Sequence, residues 1–60
     1  MKDITVIILT KNEEKNIEAS ISSAKKIAKR ILVIDSGSND RTVEIAELKG
    51  AEVYYHKWLG

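Results

Sequence analysis

Asp35, Ser36, Gly37, Ser38, Asn39 and Asp40 make one polar stretch directly after the apolar run Ile31 to Ile34, with a new helical pattern close behind. An apolar run of that kind forms a buried parallel strand, and open α/β sheets bind ligands in the crevice beyond the carboxyl ends of their strands. Asp35 would sit at such an end with its carboxylate facing the crevice and nothing obvious for it to cap. The expected chemistry is hydrogen bonding at the rim of a nucleotide site, with Asp35 as acceptor.

Three apolar runs and two helical stripes must position those residues. Ile4 to Leu9 is almost continuously apolar and β-branched, which suits a strand covered on both faces. From Asn12 onward Ile17, Ile21, Ala24, Ile27 and Ala28 recur at spacings of three and four, predicting a helix of about four turns. Glu13 and Glu14 would match the dipole at its start; Lys25, Lys26, Lys29 and Arg30 would match it at the end, as a solvated face rather than an acidic-lipid contact. Ile31 to Ile34 forms the second strand. Val43, Ala46 and Leu48 mark a second helix, with Ser38 and Asp40 carrying the oxygens of an N-terminal cap and Gly50 ending it. Ala51 to Tyr55 then makes a third strand.

The order β-α-β-α-β predicts an α/β fold with a three-stranded parallel sheet in the order 3-2-1, since each crossover is right-handed. Both helices then lie on one face of the sheet and the other face is bare. Two explanations follow for the apolar residues of the bare face. Two copies of the chain pair through it, or the sequence is part of a larger domain whose other elements cover it.

Composition narrows the function classes. Sixty residues carry a net charge of +1, which lacks the basic excess of nucleic-acid binding. Without cysteine, no disulfide or thiolate metal site reinforces the core. A domain this small buries only about 60% of the surface its unfolded chain exposes, so marginal stability is expected. No apolar run approaches the roughly 20 residues of a membrane span, and a cytoplasmic location is expected by default.

Leu9-Thr10-Lys11-Asn12-Glu13 after the first strand, followed by a helix and then Val33-Ile34-Asp35-Ser36-Gly37-Ser38-Asn39-Asp40-Arg41-Thr42, resembles family 2 glycosyltransferases over nearly all of the chain. That family has the GT-A fold, a Rossmann-like nucleotide-binding half, and often a V-D-D-G-S-x-D-x-T signature at the second strand; here Ser36 replaces the second acid. The resemblance implies a segment that binds a nucleotide sugar weakly, with Thr10, Asn12, Glu13, Asp35 and Ser36 as binding residues. It implies a single partial domain over residues 1–60, without the family's metal-binding D-x-D motif and general base. No catalytic residue and no metal ligand is then expected in this chain. A divalent metal, Mn or Mg, is expected only in a full-length enzyme, and the isolated chain is expected to be inactive. D-S-G-S at residues 35–38 and the tail from Gly50 to Gly60 are similar to a subgroup that builds lipopolysaccharide core and related cell-surface glycans.

Each residue also has a plainer role open to it. Thr10 or Asn12 would cap the first helix, Glu13 would serve only its dipole, and Gly37 would be needed for a tight turn whatever is bound. His56, beside Tyr54, Tyr55 and Trp58, reads as edge packing more readily than as a ligand. A homodimeric α/β module is the alternative to the nucleotide-binding segment. A receiver-like or flavodoxin-like fragment fits less well, because paired acids after the first strand and a Gly-rich phosphate loop are both missing.

Overall fold

A computed structural model of the chain describes residues 3–57. Trp58, expected among the edge aromatics, lies outside the described residues. Strands β1 (Thr5–Thr10), β2 (Arg30–Asp35) and β3 (Glu52–Tyr55) alternate with helices α1 (Ile17–Lys25) and α2 (Thr42–Leu48). The sheet is parallel throughout with β2 in the centre, the expected 3-2-1 order. Register sets Val6 beside Ile31, Ile8 beside Val33 and Thr10 beside Asp35, so these six side chains share one face.

Both helices cover that face. Ile17, Ile21 and Ala24 of α1 and Ala46 of α2 pack with Ile31, Val33 and Ala51 into one core, with Val6, Ile8, Ala28, Ile45 and Val53 around it. The alternate residues form the uncovered face, where Ile7 is 61% exposed, Leu9 59% and Tyr54 51%. Arg30 grips Glu52 there with two hydrogen bonds, at 2.6 and 2.9 Å, and Tyr54 donates its hydroxyl to Glu52.

Several boundaries differ from the sequence reading. Helix α1 starts at Ile17 instead of Asn12 and has nine residues, about two and a half turns. Residues 11–16 are diverted because Asn12 takes a left-handed φ of 54° and the following amides bond to a distant loop. Glu13 and Glu14 therefore do not face the helix dipole; Glu18 is the acid of the first turn. Arg30 belongs to β2 rather than to the end of α1. Ile27 follows the helix in a tight turn and is 64% exposed. Leu48 is 73% exposed because it lies two residues, about 200° of helix rotation, from the buried Ala46. Gly50 ends α2 as expected, with φ at +91° and its N–H donating to the Glu47 carbonyl.

Candidate functional site

The carboxyl ends of β1 and β2 lie side by side, and the two loops that leave them build the site. Thr10 and Asp35 are both 3% exposed, and the Thr10 hydroxyl donates to Asp35 Oδ1 at 2.7 Å. Ser38 donates its hydroxyl to the same oxygen at 2.5 Å. The amides of Gly37 and Ser38 donate to Oδ2 at 3.0 and 2.8 Å. Asp35 thus has a capping role that sequence reading did not see: its carboxylate closes the turn that follows it, with two donors on each oxygen.

Burial pushes the Asp35 pKa up, but the hydrogen bonds from Ser38, Thr10 and Gly37 outweigh it, and the group is lowered to about 2. Gly37 takes a φ of +111°, which bends the loop back over Asp35. Ser36 donates both its amide and its hydroxyl to the Thr10 carbonyl, at 3.0 and 3.1 Å, extending the contact between β1 and β2 by one residue. His56 donates its backbone N–H to the Asp35 carbonyl at 2.8 Å, which continues β3 in the same way.

The loop after β1 is fastened to the loop after β2 by side chains from both. Asn12, Glu13 and Glu14 donate successive amides to Ser38 Oγ at 2.8 Å, Thr42 Oγ1 at 2.8 Å and Asp40 Oδ2 at 3.1 Å. In return Asn12 Oδ1 accepts from the Asn39 amide at 2.7 Å and Glu14 Oε1 from the Arg41 amide at 3.2 Å. Asn12 therefore cross-links the loops and does not cap α1, and neither does Thr10. Ser38 does not cap α2, because its hydroxyl is committed to Asp35. Asp40 is not the N-cap either, a position Arg41 holds, but its Oδ1 accepts from the amide of Thr42, the first residue of the helix, at 3.0 Å and from the Thr42 hydroxyl. Those bonds hold the Asp40 carboxyl below its ordinary range.

Between the loops lies an open depression of about 600 Å³ lined by Leu9, Thr10, Lys11, Glu13 and Ser36. Lys11 spans its rim and donates to the Gly37 carbonyl at 2.9 Å. Glu13 is half-buried, and its carboxylate accepts from Asn16 Nδ2 at 3.4 Å. Of the five residues expected at the site, Thr10, Glu13 and Ser36 line the depression, while Asn12 and Asp35 hold the loops that shape it. Sequence reading missed Lys11, whose placement follows from the loop course alone, and the bracing role of Thr42. The Asp40-x-Thr42 spacing is visible in sequence, but its partner is a backbone amide 29 residues away.

Residues 5–58 match glycosyl transferase family 2. The chain belongs to that family. The chain is 51% identical over 59 residues to an uncharacterized glycosyltransferase of Rickettsia bellii, covering 98% of this chain and 20% of the relative. It is 44% identical over 55 residues to a 4,4'-diaponeurosporenoate glycosyltransferase of Staphylococcus haemolyticus, covering 88% of this chain and 15% of that one. The chain therefore spans about a fifth or less of the length of these relatives. Its fold matches glucosyl-3-phosphoglycerate synthase of Mycobacterium tuberculosis with a TM-score of 0.79 and 34% identity, over 90% of this chain and 21% of the synthase. That enzyme has the GT-A fold and was solved in complex with Mn²⁺, UDP and glucosyl-3-phosphoglycerate.

The donor chemistry of the described residues does not suit a Mn²⁺ ion. Among the described residues, no group of three or more His, Cys, Asp or Glu side chains is placed to hold a metal, and the Asp35 oxygens are filled by protein donors. Nor is any helix among the described residues long and apolar enough to cross a membrane.

Proposed function

We propose that this chain is the nucleoside-recognition segment of a glycosyltransferase that moves a sugar from a nucleotide donor to an acceptor hydroxyl. The observation that carries the reading is the depression beyond β1 and β2, where Thr10, Glu13 and Ser36 face one space and the surrounding loops are already cross-linked. Preorganised loops lower the ordering cost of binding a small polar ligand. Glu13 accepts from the ribose hydroxyls and Ser36 bonds the base or ribose. Thr10, Asn12 and Asp35 act on the same ligand mainly by holding the floor and rim in place. Binding is weak because so open a depression buries little of the ligand.

Transfer also requires stabilisation of the leaving diphosphate and removal of the acceptor proton. We assign neither task to residues of this chain, so the isolated 60 residues bind without transferring. A divalent metal, where the longer relatives use one, is held by residues outside this chain. The finer reading, a role in lipopolysaccharide-core or related cell-surface glycan synthesis, rests on D-S-G-S at residues 35–38 and on the resemblance of the tail.

A two-dimensional amide NMR titration with UDP, run with and without Mn²⁺, tests the proposal. Shifts at Thr10, Glu13 and Ser36 that saturate without the metal are expected. Silence at those amides with UDP and with the other nucleoside diphosphates would overturn it. One observation favours a second reading, a homodimeric module: Ile7, Leu9 and Tyr54 are all more than half exposed on one sheet face. A stable dimer in ultracentrifugation together with a silent titration would support that reading instead.

A further inference from the structure

We infer that Thr42, with its hydroxyl aimed by Asp40, is the positioning residue for the nucleotide-binding loop at residues 11–14. The inference rests on the nucleotide reading above and adds to it a residue that does not line the depression. Thr42 is fully buried, and of the three side chains that receive the amides of Asn12, Glu13 and Glu14 it is the buried one, with Ser38 half-buried and Asp40 exposed.

A threonine hydroxyl has one proton to give and lone pairs to receive. Here the proton goes to Asp40 Oδ1, which turns a lone pair toward the Glu13 amide 2.8 Å away. Asp40 also accepts the Glu14 amide through Oδ2, so one carboxylate sets the Thr42 hydroxyl and fixes the neighbouring residue of the loop. The Glu13 side chain has only a long contact to Asn16, so its direction depends on where its backbone is pinned. Removing the hydroxyl leaves the Glu13 amide without its acceptor and frees the carboxylate to swing from the depression.

The test compares Thr42→Val, Thr42→Ser, Asp40→Ala and the core control Ile21→Val in the 60-residue chain, reading UDP affinity by amide titration and stability by thermal melting. Thr42→Val keeps the side-chain volume and loses the acceptor; Thr42→Ser keeps the acceptor. Thr42→Val is expected to weaken UDP binding about fivefold to tenfold, Asp40→Ala about threefold, and Thr42→Ser less than about twofold. Ile21→Val lowers the melting temperature and leaves affinity unchanged. Unaltered affinity in Thr42→Val, failure of Thr42→Ser to rescue, or an equal affinity loss in Ile21→Val would overturn the inference. Should Thr42→Val fail to fold, the exposed Asp40→Ala decides by the same criterion. Failure of the unaltered chain to bind any nucleoside diphosphate would instead remove the nucleotide reading itself, and the inference with it.

Discussion

Thr10 and Asp35 end neighbouring parallel strands in register, and the Thr10 hydroxyl donates to Asp35 Oδ1 across the strand ends at 2.7 Å. Both side chains lie on the helix-covered face, at the point where the sheet gives way to loops. That position explains why a polar pair is tolerated in a small core: each group finds its partner in the other, and no described buried side-chain N or O atom is left unpaired. Of the pair Thr10 lines the depression, while Asp35 holds the turn at Gly37 and Ser38 beside it.

The Asp35 carboxylate should make stability depend on acid in a defined window. Its pKa falls from 3.8 in the unfolded chain to about 2 in the folded one. A depressed folded pKa contributes stability above the unfolded value, and that contribution is lost as pH falls through the folded value. The shift corresponds to roughly 2 kcal/mol. Asp35→Asn removes an acceptor from two of the four donors and should cost at least that much at neutral pH. Urea unfolding of both proteins from pH 6 downward checks this: the gap between them should be full above about pH 4 and narrow toward pH 2. A gap independent of pH would show that the charge of Asp35 is not what the turn uses.

Asn12 combines a left-handed backbone with a side-chain acceptor, and two substitutions separate the contributions. Asn12→Gly keeps the φ of 54° available but loses the bond from the Asn39 amide. Asn12→Asp keeps the acceptor and, like Asn, tolerates the left-handed region. The glycine variant should be destabilised by about 1 kcal/mol and the aspartate variant by less. Thermal melts give the ranking, and amide exchange at Asn39 should rise in Asn12→Gly alone.

The parts of this fold that were legible in sequence are those governed by periodicity. Ile17, Ile21 and Ala24 mark a helix face, Ile4 to Leu9 and Ile31 to Ile34 mark strands, and Gly50 ends α2, because burial and backbone freedom are written in residue type; which face of β1 is covered was not legible, since Ile7 and Leu9 are as apolar as Val6 and Ile8 yet stand exposed. The start of α1 was not legible. Asn12 to Asn16 have helical neighbours and acids suited to a first turn, but the amides of Asn12, Glu13 and Glu14 are claimed by Ser38, Thr42 and Asp40 from the far side of the site. For the same reason Asp35 was expected to point at a ligand with nothing to cap, when the donors at Gly37 and Ser38 are backbone groups common to every sequence.

Gly37 tests how much the turn over Asp35 depends on its backbone. A Cβ at this position would meet Lys11 Nζ and Tyr55 Cε1 at 3.6 Å, an ordinary contact, so space is available. The obstacle is the φ of +111°, which an L side chain rarely adopts. Gly37→Ala should therefore cost about 1–3 kcal/mol through strain alone. In a chain of this size that lowers the melting temperature by roughly 5 °C or more. A neutral result would mean that the loop relaxes, and the amide shifts of Ser38 and Asn12 would then report a rearranged turn.

The uncovered sheet face should govern how the isolated chain behaves at high concentration. Ile7 and Tyr54 stand on it with the Arg30 and Glu52 pair and do not line the depression, although Leu9 of the same face does. Contiguous exposed apolar surface drives association when nothing else covers it. The chain is expected to self-associate as its concentration rises, and Ile7→Lys should shift it toward monomer while the side chain stays in solvent. Sedimentation velocity across a concentration series measures this. Because Ile7 lies on the sheet face opposite the Thr10 and Asp35 side chains, the amide shifts of the two loops should stay in place in Ile7→Lys. If those shifts move with the loss of association, the sheet face and the loops are coupled, and the homodimer would have to be considered part of the site.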